Sequence, residues 1–175
     1  MIRPSAIVAL RVPQFEISTM PSRRCGKGDV RHWWLTKDGD VACMELFRRH
    51  YSQRDYADGR TVKLFVGPGE KVVLRTDQAD AMWVWRKFID DSGQTGINCA
   101  VFRNESSIRS SDLVRQADEI ADCLWPDSRH YTYVDAKKIR SKNPGYCFLA
   151  AGWRRCGMTK SGLVVLERLA ALESK

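Results

Sequence analysis

The chain has 175 residues, 43% of them hydrophobic and 29% charged, with a formal net charge of +8 at neutral pH. A chain of this length buries about two-thirds of its unfolded surface in one domain without staples, and its apolar runs fall far short of the ~20 residues that cross a bilayer, which excludes a membrane span. The short apolar stretch before Arg11 is smaller than a signal-peptide core, so the chain reads as one that is not exported.

Residues 1–30 mix apolar and basic side chains with Pro4, Pro13, Pro21, Gly26 and Gly28 and read as an irregular arm with at most one short strand. Residues 31–175 read as a single domain. From Asp40 to Arg49, Val41, Met44, Leu46 and Phe47 share one helical face behind an Asp40 cap, and the helix delivers His50 and Tyr51 at its end. Val62 to Val66 and Lys71 to Arg75 flank Gly67-Pro68-Gly69 and predict a hairpin, followed by a third strand from Ala81 to Phe88 and a fourth from Ile97 to Phe102. These four runs predict an antiparallel meander.

After the turn Arg103 to Ser111, the positions Leu113, Val114, Ala117, Ile120, Ala121 and Leu124 form the stripe of a half-buried helix that Trp125-Pro126 ends. The strand Tyr131 to Asp135 then lies one helix away from the fourth strand, which predicts a crossover and a locally parallel pair. A helix around Gly145 to Ala151 and a strand near Gly162 to Leu166 complete the pattern. The fold class is α+β: a mixed, largely antiparallel central sheet flanked by helices on both faces. The six cysteines contain no C-x-x-C pair and read as reduced and mostly buried, and Trp83, Trp85, Trp125 and Trp153 are assigned to the core.

Several groups of residues carry chemistry. The turn between the fourth strand and the helix holds Arg103, Ser106, Ser107, Arg109 and Ser110, and two arginines with backbone N–H groups aimed at one spot suit a phosphate-bearing donor. The plain alternative is an exposed loop with a serine helix cap. His50, Tyr51 and Asp135 offer an imidazole, a phenol and a carboxylate, a donor set that suits iron, although a histidine at a helix end also serves as a cap or surface residue. Without a metal, His50 or Asp135 still has the chemistry of a general base. Tyr146 carries a phenol able to exchange a proton and otherwise reads as the first residue of a packed helix.

The excess of cations favours a polyanionic partner, with colloidal solubility as the other reading. Arg48 and Arg49, and Lys137, Lys138, Arg140 and Lys142 directly after Asp135, are candidates for gripping the backbone of double-stranded DNA. Trp33 and Trp34 are candidates for stacking on an extruded base, with the core as the alternative for at least one of them.

The order of strand, phosphate turn, helix, strand and short helix resembles the GNAT acyltransferase superfamily. More specifically, His50-Tyr51 after a basic helix, Arg103 after the fourth strand, Asp135 after the fifth, and Asn143-Pro144-Gly145-Tyr146 leading to Ala151-Gly152-Trp153 resemble the Mom-type DNA-modification proteins of bacteriophages. The resemblance spans roughly Trp33 to Glu167. It implies a GNAT-like fold with a C-terminal hairpin and transfer of a small acyl or amide-bearing group to the N6 amine of adenine. That modification acts as anti-restriction protection in the cytoplasm of an infected bacterium. It also implies iron, with His50, Tyr51 and Asp135 essential and Arg103 and Tyr146 as further members of the site. The usual glycine-rich phosphate turn is missing, since Arg103 to Ser111 contains no glycine, so the donor is either acyl-CoA or another activated acyl compound such as an aminoacyl ester. Two other readings stand beside this one: acyl-CoA-dependent transfer to a small-molecule or protein amine, and non-catalytic DNA binding that shields phage DNA.

Overall fold

A computed structural model describes residues 31–53, 62–89 and 93–170. The predicted arm, residues 1–30, lies outside the described residues. The elements run β1 (Trp34–Thr36), α1 (Val41–Arg48), β2 (Glu70–Arg75), β3 (Ala81–Lys87), β4 (Ile97–Asn104), α2 (Ser110–Leu124), β5 (His130–Val134), α3 (Tyr146–Ala150), β6 (Arg154–Met158) and β7 (Val164–Arg168). Seven strands form one open, mostly antiparallel sheet in the order β1-β2-β3-β4-β5-β7-β6, which makes an α+β fold. None of the described helices is long and apolar enough to cross a membrane.

Two hydrophobic clusters divide the strands by alternation. Val72, Leu74, Trp83 and Trp85 pack with Leu113, Val114 and Ala117 of α2 and Phe148 of α3. Their neighbours Val73, Met82 and Val84 pack with Cys43, Met44 and Leu46 of α1. This is the period-2 placement of side chains along a strand, and it ties each helix to its own set of strand positions. The four tryptophans assigned to the core, Trp83, Trp85, Trp125 and Trp153, are all buried.

The cap on α1 is as predicted: the Asp40 carboxylate accepts from the Cys43 N–H at 2.9 Å. The predicted hairpin is not. Residues 62–66 form no strand, and their backbone is satisfied differently, with Asp38 Oδ1 accepting from the Phe65 N–H at 2.9 Å and the Val66 N–H at 3.2 Å. Phe65 and Val66 are thereby freed to pack into the α1 cluster, and the place beside β2 is taken by β1. The strand β6 is a further element that residue patterning missed, since all five of its residues are exposed.

Beneath α2 the core holds a polar knot. His130 Nδ1 lies 2.8 Å from Asp118 Oδ1, Trp153 Nε1 donates to Asp118 Oδ2 at 2.8 Å, and Arg168 grips Asp122 at 2.9 and 2.8 Å. Burying His130 and the Trp153 indole is tolerable because the Asp118 carboxylate serves both at once, while the Arg168–Asp122 pair lies at the partly exposed rim. The free cysteines include buried Cys43 and Cys99, but Cys123 and Cys156 are exposed, which corrects the expectation that most of them are buried.

Candidate functional site

The predicted parallel pair exists, and its shortness makes the site. β4 and β5 are in register only at Ile97 with His130, Asn98 with Tyr131 and Cys99 with Thr132. Beyond that point β4 runs on to Asn104 and β5 to Val134 without pairing to each other. A register shift against β3 leaves Ala100 unmatched just where the two strands part. A cleft of about 280 Å³ opens there, lined among others by Ala100, Phe102, Tyr133, Val134, His50 and Tyr51.

His50 and Tyr51 enter this gap together from the end of α1, their ring centroids 4.4 Å apart. The His50 ring N–H faces the Phe102 carbonyl of β4. Its other nitrogen, Nδ1, accepts from the Ser52 N–H at 3.2 Å and lies 2.7 Å from the Ser52 hydroxyl. The proton is thus assigned to Nε2 by the hydrogen bonds around the ring. Tyr51 reaches the other strand: its hydroxyl donates to the Tyr133 carbonyl at 3.4 Å and takes a hydrogen bond from the Asp135 N–H. The two rings therefore occupy backbone groups that a continued β4–β5 ladder would have paired.

Burial, reinforced by the positive charge of Arg103, holds His50 down to about 4, so the imidazole is neutral at physiological pH. Burial also raises the Tyr51 phenol, and the nearby Cys99, Asp135 and Cys147 add to the effect. Iron takes an unprotonated ring nitrogen and a phenolate. Here both His50 ring nitrogens are hydrogen-bonded, the Tyr51 hydroxyl donates to the Tyr133 carbonyl and the Asp135 carboxylate is turned onto the Lys137 N–H, so the donor set as held does not fit iron. No cluster of three His, Cys, Asp or Glu side chains suited to a metal ion occurs among the described residues. Burial raises the thiols of Cys99 and Cys147 as well, which leaves neither as a thiolate nucleophile at neutral pH.

Arg103 stands beside His50, as the sequence suggested, but it is not a free anion grip. Its Nε donates to Glu105 at 2.6 Å and its Nη1 to the Arg49 carbonyl, while Arg49 holds both oxygens of the same carboxylate at 2.9 and 2.8 Å. Two guanidiniums sharing Glu105 depress its carboxyl to about 2.

The serines of the turn are likewise engaged. Asn104 Oδ1 accepts from the Ser106 N–H at 3.0 Å and the Ser106 hydroxyl at 2.7 Å, and Asn104 Nδ2 donates to the Ile108 carbonyl and to Ser110 Oγ. Asn104, not a serine, organises the turn, and the helix cap is Arg109 without a side-chain bond. Ser107 and Arg109 remain exposed.

Asp135 is adjacent to the cleft through its backbone, yet its carboxylate accepts from the Lys137 N–H at 3.1 Å and closes the following turn. Lys137, Lys138, Arg140 and Lys142 are exposed and have no ion-pair partner among the described residues, and the same loop sends Ile139, Ser141 and Asn143 to the cleft wall. Arg48 is paired with Glu45. Trp33, 3% exposed, belongs to the core, its indole donating to the Leu113 carbonyl at 2.8 Å. Trp34 is 59% exposed but lies on β1, separated from β4 by β2 and β3, about 14 Å across the sheet.

Tyr146 opens α3 on the far wall of the cleft, after Gly145 in the left-handed conformation at φ 79°. A side chain at Gly145 would bring its Cβ to 2.7 Å from Leu166 Cδ1. Arg155 on β6 donates to Asn143 Oδ1 at 3.0 Å and ties this wall to the edge of the sheet. Comparison of the chain with protein-family models, curated proteins and solved structures gave no match.

Proposed function

We propose that the protein is a GNAT-like group transferase that modifies DNA, passing a small acyl or amide-bearing group to the N6 amine of adenine. The observation that carries this reading is the gap between β4 and β5, with His50 and Tyr51 on one wall and Tyr146 on the other. The strand order and the single parallel pair among the described strands support the GNAT likeness. A cleft of about 280 Å³ lies at the small end of ligand pockets. It suits the reactive end of a donor and one incoming amine, with the rest of the donor outside.

In this reading the donor's carbonyl end lies between the parted strands. The adenine amine attacks the carbonyl carbon, the bond to the leaving group breaks, and the leaving group takes a proton from the Tyr146 phenol. The amine proton passes through the Ser52 hydroxyl to His50, which is neutral and so in the state a base needs. The Lys137 to Lys142 loop holds the DNA backbone beside the mouth. The donor phosphate binds by taking the place of Glu105 between Arg49 and Arg103, with Ser107 and Arg109 at the rim.

Expression with plasmid DNA followed by nucleoside mass spectrometry tests this. A modified deoxyadenosine that disappears in His50→Ala is the expected result, and unmodified deoxyadenosine alone in both samples refutes it.

A further inference from the structure

Trp33 and Trp34 leave a DNA-modifying site without the aromatic surface that an unpaired base needs, since one is internal and the other lies on the edge strand β1, three strands from β4. The cleft has such a surface elsewhere. Tyr146 is 60% exposed while lining the cleft, and its hydroxyl has no hydrogen-bond partner among the described residues. An aromatic ring left this open is poorly explained by packing, because its helix is anchored without it: Phe148, two residues along, is buried against Trp83, Phe102 and Trp153.

Its position is fixed from behind. Gly145 is pressed against Leu166, the Tyr146 N–H donates to the Asn143 carbonyl at 3.1 Å, and Arg155 holds Asn143. The ring is therefore displayed on rigid backbone. The loop leading to it carries four exposed cations, Lys137, Lys138, Arg140 and Lys142, with Asp135 as the one carboxylate in the loop, itself turned onto the Lys137 N–H. A flat π-face next to a row of cations without ion-pair partners among the described residues matches the alternation of base and phosphate along a nucleic-acid strand.

Resting on the DNA-modification reading, we propose that the ring of Tyr146 is the platform on which an unstacked DNA base lies at the cleft mouth, with the 137–142 loop holding the flanking phosphates. The role belongs to the ring face and not to the hydroxyl, so it is separate from any proton donation. It makes Tyr146 a residue that selects nucleobases over other amines.

The test compares a short single-stranded oligodeoxynucleotide with an abasic strand of equal length and phosphate number, bound to the full chain without donor. The unmodified protein should bind the base-bearing strand about tenfold more tightly. Tyr146→Phe should keep that ratio and Tyr146→Ala should bring it to one, with both variants melting like the parent. A ratio of one in the parent, or an undiminished ratio in Tyr146→Ala, overturns the proposal. Because no transfer takes place in this assay, the outcome separates from that of the function: base preference without modified nucleoside leaves the platform standing and removes the transferase, and modified nucleoside with an unchanged Tyr146→Ala ratio does the reverse.

Discussion

The rings of His50 and Tyr51 lie 4.4 Å apart and reach the two parted strands, one bound to the Phe102 carbonyl of β4 and the other to the Tyr133 carbonyl of β5 and the Asp135 N–H just past its end. Consecutive residues thus satisfy two strands that do not satisfy each other. The pair has a structural role beside the chemical one proposed for it, and the two separate experimentally.

The pH dependence of stability reports the first. His50 is held at about 4 in the fold and returns to about 6.5 when unfolded. The unfolded chain therefore binds more protons between those values, and stability is full above pH 6.5 and falls as pH drops towards 4, by about 3 kcal/mol in all. Urea midpoints from pH 7 to pH 4.5 should show this decline, and His50→Gln should flatten it. An equally steep decline in the variant would place the effect on other groups.

Removing the cations of the 137–142 loop should weaken DNA binding without regard to sequence. With all four changed to alanine, the slope of log affinity against log salt should fall by about 3 to 4, at about 0.9 per lost phosphate contact. An unchanged slope in a filter-binding titration would remove the loop from the interface. Trp34→Ser, by contrast, should leave affinity and slope unaltered.

How far the residues foretold this arrangement varies along the chain. The helix after Asp40, the strand from Ile97 and the α2 stripe follow from periodicity, although Val41, expected on the buried face of the first helix, is 79% exposed and Cys43 is buried instead. The parallel return at Tyr131 is buried on both faces and carries no such alternation. The convergence of His50 and Tyr51 with the end of β5 came from family likeness, since nothing local at residues 50 and 51 indicates a partner more than 80 positions away. The hairpin at residues 62–66 misled because its apolar residues are drawn into the α1 cluster while the Asp38 carboxylate supplies what a strand neighbour would. Ser106 and Ser110 of the turn are taken up locally for a related reason. Hydroxyl-rich sequence is equally suited to binding itself, and Asn104, a residue with both donor and acceptor, decided the matter. Its signal was present: an asparagine at a strand end followed by serines is a common turn former.

Gly145→Ala should cost about 1 to 2 kcal/mol, from the positive φ and from the Leu166 methyl that the new Cβ meets at 2.7 Å. The larger effect should fall on the cleft, since Tyr146 is the next residue. Thermal melting and oligonucleotide binding on one preparation measure both, and a variant with intact binding would show that α3 shifts without carrying the ring.

Asp118→Ala should be far more damaging to the fold while touching nothing in the cleft. It strips partners from His130 and from the Trp153 indole in the interior. A loss of about 3 to 5 kcal/mol, or ~10 °C in melting temperature, is expected from calorimetry. A drop under 2 °C would mean that the knot rearranges around the missing carboxylate.

The Asn143 tether gives the far edge of the sheet a stake in recognition. Arg155 sits on an outermost strand whose residues all face solvent, yet it steadies the segment from which Tyr146 projects. A polyanion lying along that border would compete for the same guanidinium, so surface occupancy and the attitude of the ring become linked through one side chain.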